Sequence, residues 1–177
     1  MKPNILHLLG DNYLFNEMLK GNKPCCAVGS KHMAQFAREL DLKVHRMPWS
    51  FGYYYSISNN RKVKSYFQVE DVVGIVNTEV AHMLYNRIKN KNPADAFKYL
   101  QREIKNRGEI FEISVLNGML CGYPICDIVE YIERSIKRKN LSQKGSVKKY
   151  YKLIDNDYRI QHVQCAYCRK QYIKYGI

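Results

Sequence analysis

Apolar positions along the chain fall into three patterns. Behind Ser30, whose hydroxyl can cap a helix start, Met33, Phe36, Ala37 and Leu40 recur at the spacing of one helix face and predict an amphipathic helix over "KHMAQFARELD". Around it, "CCAV", "LKVHRM", "YYYSIS" and "KVKSYFQV" have strand character, the last two rich in aromatic and β-branched residues, with "SNNR" between them as a hairpin turn. From about Asn77 the period becomes helical. Ala81, Leu84, Tyr85 and Ile88 form one stripe, and Ala94, Phe97, Leu100 and Ile104 form a second, bracketed by Asn92 as cap, Pro93 in the first turn and Gly108 beyond the end. "FEISVLNGMLCG" predicts a third helix ending near Gly122. Pro124 then opens a fourth, long helix with the stripe Ile125, Ile128, Val129, Ile132 and Ile136. "KRKNLSQKGSVKK" reads as a basic loop, and "CAYCRKQYIKY" as a short final helix.

These elements predict an α/β (α+β) chain, a small N-terminal sheet joined to a largely helical C-terminal half. One domain over 1–177 divides into a mixed part (1–76), a helical part (77–139) and a basic tail (140–177). At 46% apolar residues the chain can bury a real core. No apolar run approaches the roughly 20 residues of a membrane-spanning helix, and the start carries no signal-peptide pattern. The expectation is a cytoplasmic protein, in whose reducing surroundings six cysteines point to metal binding, reactivity or burial before disulfides.

Charge sharpens the picture. The formal net charge is +13, and between Ser135 and Ile177 eleven Lys and Arg face only Asp155 and Asp157, leaving +9 in that segment. A basic surface attracts phosphates through long-range fields and counterion release. Six tyrosines between Tyr150 and Tyr175 alternate with lysine, and aromatic rings can stack on bases while cations hold phosphates. Nucleic acid is therefore the expected partner, with Lys148, Lys149, Tyr150, Tyr151, Lys152, Arg169 and Lys170 as the binding residues.

The same tail holds "HVQCAYC", that is His162, Cys165 and Cys168. Structural zinc takes four thiolate or imidazole ligands in a tetrahedron, and Cys-x-x-Cys is a common half-site. The fourth ligand is expected from "CGYPICDIVEY". There Pro124 starts a helix, and Cys126 sits in the first turn, where the helix dipole favours thiolate. Cys121, just before the Gly-Tyr-Pro turn, is the competing ligand. Cys25 and Cys26 read as core thiols or as a second thiol site near the first.

"GYPIC" followed by "DIVEY", and later "HVQCAYC", resembles an uncharacterised prokaryotic domain-of-unknown-function family with Gly-Tyr/Phe-Pro-x-Cys-Cys and His-x-Pro-Cys-x-x-Cys motifs. "KPCC" and "YYYSIS" are similar in kind. Asp127 stands at the family's second cysteine and Gln164 at its proline, two departures from the pattern. The resemblance implies that the two motifs belong together, and it carries no assigned reaction.

The leading expectation is a small basic zinc protein that binds nucleic acid through its tail. The alternative is a metal-dependent enzyme acting on a nucleotide or nucleic acid, with Glu130 or Asp127 carrying a proton near a metal-bound water. The third is a thiol-redox protein. A phosphate-binding Gly-rich loop, an HExxH helix and a nucleophile elbow are all absent from the sequence. A zinc deaminase would carry Glu and Pro beside its ligands, and neither falls at that spacing here.

Overall fold

The computed structural model describes residues 3–49, 52–107 and 111–138. Their order is α1 (Pro3–Leu19), β1 (Cys25–Val28), α2 (Lys31–Glu39), β2 (Lys43–Trp49), β3 (Gly52–Ser58), a 3-10 turn (Val63–Ser65), α3 (Val69–Val73), α4 (Glu79–Ile88), α5 (Pro93–Arg107), α6 (Phe111–Leu120) and α7 (Ile125–Arg138). The expected α+β class is thus the observed one. The strands form an antiparallel sheet in the order β1-β3-β2.

Alternation of side chains along each strand sends the sheet's two faces to two cores. Cys26, Val28, Ile57, Val44 and Tyr55 lie with Leu14, Phe15 and Met18 of α1 and Ala37 of α2. Cys25, Met47 and Tyr54 turn to the opposite face and join the larger core built by α4, α5 and α6. Adjacent Cys25 and Cys26 are therefore separated by the sheet itself.

Local chemistry explains the helix boundaries. The Ser30 hydroxyl accepts a hydrogen bond from the Met33 amide at 3.2 Å, as its cap role requires. Thr78 does the same for Ala81 at 3.1 Å, and Asn92 Oδ1 accepts from the Asp95 amide at 2.9 Å. All four apolar positions read on α4 are buried, as are Ala94, Phe97 and Leu100 on α5. At the end of α6, Gly122 takes φ +67° and the Tyr123 amide bonds back to Gly118 O at 3.0 Å, a Schellman closure.

Two sequence expectations are corrected. "KVKSYFQV" is no strand: Val63 and Phe67 are buried four residues apart, and the Val63 and Lys64 amides bond Lys91 O and Lys89 O at 2.8 and 3.0 Å. Gln68 and Asp71 then form a capping box that starts α3. Nor is "SNNR" a hairpin turn. Asn59 Oδ1 accepts from the Arg61 amide at 2.9 Å, and β3 pairs instead with β2, from Lys43 opposite Ser58 to Trp49 opposite Gly52. On α7, Ile128 is buried against Gly118, whereas Ile125 and Val129, expected on the same core stripe, are exposed.

A polar bridge fastens α5 to the sheet. His45 of β2 hydrogen-bonds the Asp95 carboxylate, Asn92 donates to the same carboxylate, and the Ser58 hydroxyl accepts from the Ala94 amide at 3.1 Å. Partial burial pushes the Asp95 carboxyl up, but the hydrogen bonds from His45 and Asn92 and the charges of His45 and Lys43 outweigh it and hold it below the ordinary carboxylate value. A depressed pKa contributes stability that is present above the unfolded value, about 4, and is lost as pH falls through the folded value. Asp95→Asn should therefore lower the melting temperature near pH 7 and change it less as the pH drops below about 4. Solvent exposure of the pair keeps the effect modest. Melting curves of both proteins across this pH range check it.

Candidate functional site

The densest chemistry in the described residues lies where the start of β1 meets the turn between α6 and α7. Cys25 Sγ is 3.1 Å from Leu120 O, which places it against the backbone that leads into Cys121. Both side chains belong to the same apolar cluster, and each thiol shifts the pKa of the other. Lys23 reaches over the same turn, its Nζ 3.1 Å from Cys121 O and 3.3 Å from Gly122 O, and 5.4 Å from the centre of the Tyr123 ring. Gly122 makes this approach possible. A Cβ there would lie 3.0 Å from Lys23 Cγ, 3.2 Å from Pro24 Cδ and 3.3 Å from Lys23 Cα.

The pair is electrostatically unequal. The hydrogen bond from Cys25 lowers the Cys121 pKa; burial opposes this, and the Lys23 ammonium and Tyr123 hydroxyl add to the lowering. Cys25 moves the other way, raised by its bond to Cys121 and by burial. Cys121 is thus the first to become a thiolate, the form that attacks electrophiles and ligates metals. Burial, with a smaller push from these thiols, raises the nearby Tyr54 phenol to about 12, so it stays neutral. Cys26, on the far side of the sheet, is also pushed up by burial and stays a core thiol.

A cleft of about 500 Å³ borders this cluster, lined in part by Pro24, Arg61, Tyr66, Met119, Gly122 and Tyr123. Pro24 precedes Cys25, and Gly122 follows Cys121. Solvent therefore comes to within one residue of each cysteine along the chain.

Of the expected metal ligands, Cys126 is exposed in the first turn of α7, its Sγ 3.8 Å from Asp127 Oδ1. The alternate ligand Cys121 turns inward to Cys25. Asp127 is buried and Glu130 lies on the same helix. His162, Cys165 and Cys168 lie outside the described residues, as do Lys148, Lys149, Tyr150, Tyr151, Lys152, Arg169 and Lys170. Among the described residues no three His, Cys, Asp or Glu side chains come together as a metal site. Sequence reasoning singled out both "KPCC" and "CGYP", yet nothing in either stretch announces that Cys25 meets Cys121, or that Lys23 covers the junction.

A second surface carries charge without chemistry of its own. The backbone bonds from Val63 and Lys64 to Lys91 and Lys89 bring Lys62 and Lys64 beside Lys89 and Lys91 at the end of α4, while Arg61 turns to Gly21 on the wall of the cleft. Neither 59–69 nor 80–94 contains a carboxylate. Tyr99 sits nearby between two cations, 5.9 Å from Lys91 Nζ and 5.7 Å from Arg102 Cζ. No described helix is long and apolar enough to cross a membrane. In comparisons with family models, curated proteins and solved structures, nothing matches this chain.

Proposed function

We propose that the protein binds single-stranded nucleic acid on a basic surface shared by the folded body and the 140–177 tail, with one zinc ion joining the tail to α7. The observation that carries the reading is the group of four lysines, Lys62, Lys64, Lys89 and Lys91, brought together on two segments without a carboxylate. Such a surface favours a polyanion, which relieves the repulsion among its charges. Tyr99, already flanked by cations, offers a ring at its margin. The zinc part rests on the exposed position of Cys126 in the first turn of α7.

Anisotropy titrations of a labelled single-stranded oligonucleotide over a range of salt test the reading. Affinity should fall by about 0.7 log units per log unit of salt for each phosphate contacted. Charge reversal at Lys62, Lys64 and Lys91 should weaken binding and flatten that slope, and reversal at Lys148, Lys149 and Lys152 should do so independently. Loss of Tyr150 and Tyr151 should cost about 1–3 kcal/mol per stack with the slope retained. Metal analysis of the same preparation should give about one zinc per chain, reduced in Cys126→Ser. Absence of binding at low salt would sink the nucleic-acid reading, and a metal-free protein with unchanged binding would remove zinc from it.

A further inference from the structure

We propose that Cys25 and Cys121 form a thiol–disulfide exchange site that accepts a low-molecular-weight disulfide. Two observations carry it. The first is convergence: residues 96 positions apart in sequence are held together by the Cys25 contact to Leu120 O, by Lys23 spanning the carbonyls of Cys121 and Gly122, and by the close approach that only Gly122 allows. The second is asymmetry. Lys23 Nζ lies on the Cys121 carbonyl and over the Tyr123 ring, and Cys121 is half-buried, while Cys25 is buried deeper in the core. A half-buried thiol beside a cation and backed by a second thiol is the arrangement of an attacking and a resolving cysteine.

The chemistry balances without a cofactor. The Cys121 thiolate attacks one sulfur of the small disulfide, a new S–S bond forms, and the other half leaves as a thiolate. The Cys25 sulfur, having lost its proton, then attacks Cys121 and expels the second half. The cysteine pair loses two electrons, the small disulfide gains them, and the two protons end on the two released thiols. The cleft along Pro24 and Gly122, with Arg61 on its wall, is where the disulfide would enter. An acidic small disulfide should therefore react faster than a neutral one of the same size.

The full-length protein is reduced, desalted and treated with hydroxyethyl disulfide, then digested and mapped by tandem mass spectrometry. Fragmentation at Tyr123–Pro124 separates Cys121 from Cys126. The expected product is a peptide pair joined through Cys25 and Cys121, lighter by two hydrogens than the reduced pair. Cys25→Ser should trap the mixed disulfide on Cys121, and Cys121→Ser should leave Cys25 unmodified. Where Cys25→Ser melts early, Cys25→Ala gives the same trap without a buried hydroxyl. Because the bridge would close a long loop, the oxidised wild-type chain should also melt at a higher temperature. Modification confined to Cys126, Cys165 or Cys168 would overturn the assignment, as would a Cys25–Cys121 link that forms only in denaturant.

Discussion

Leu84→Ala should lower the free energy of unfolding by about 2–5 kcal/mol, the range for truncating a fully buried leucine. Leu84 is completely buried in the large core, with Tyr85, Ile88, Leu100, Ile113 and Leu116 in the same cluster. These residues come from α4, α5 and α6, so a cavity at Leu84 weakens the junction of three helices together. Interiors pack too tightly to refill such a space. A domain stable by about 5–15 kcal/mol would lose a large fraction of its margin. Urea unfolding followed by circular dichroism measures the loss. Leu40→Ala is the control: Leu40 is 45% exposed, and its truncation should change stability by about 0.5 kcal/mol or less. Equal losses in the two variants would mean that the α4 stripe is not the packed face described.

Gly122→Val should be the most damaging change near the thiols. At φ +67° a β-branched residue is strained, and holding it there costs about 1–3 kcal/mol. The new Cβ would also press on Lys23 Cγ, Pro24 Cδ and Lys23 Cα at 3.0–3.3 Å. Lys23 Cγ can swing aside, but Pro24 and the Lys23 backbone cannot, so the α6–α7 turn must move away from β1. Two readouts follow. The melting temperature should drop, and the yield of the Cys25–Cys121 link should fall more steeply than stability alone accounts for. Gly122→Asn separates strain from crowding, since asparagine tolerates this backbone region while still carrying a Cβ. A Gly122→Val protein that melts and cross-links like wild type would contradict the close approach.

Features set by neighbours along the chain were legible in advance, because caps and periodicity are local. Ser30, Asn92 and Gly122 act where the sequence placed them, and the α4 stripe is buried in full. Helix α1 was not foreseen: "ILHLLGDNYLF" is broken by His7, Asp11 and Asn12 and its buried face includes Asp11 beside Leu14, Phe15 and Met18, although Gly21 at φ +83° closes it in the same manner as Gly122 closes α6. "KVKSYFQV" misled because valine, tyrosine and phenylalanine have strand propensity, while the carbonyls that claim its amides belong to Lys89 and Lys91. The thiol site was half legible. Both cysteine motifs stood out, but which sulfurs meet depends on β1 lying beside the end of α6, a tertiary fact with no period in the sequence. His45 and Asp95, 50 residues apart, were hidden for the same reason.

The strand order β1-β3-β2 also bears on how copies of the chain would treat one another. With β3 in the middle, β1 and β2 each pair on one side only among the described residues. An unpaired strand edge is a template on which a second chain can polymerise. Here β1 offers four residues, too few for a strong seed, and the longer β2 carries Lys43, Arg46 and Pro48, of which proline has no amide hydrogen to donate. Among the described residues both edges of the sheet are thus blunted, one by its shortness and one by charge and proline, which disfavours edge-to-edge pairing between copies of a chain rich in tyrosine and β-branched residues.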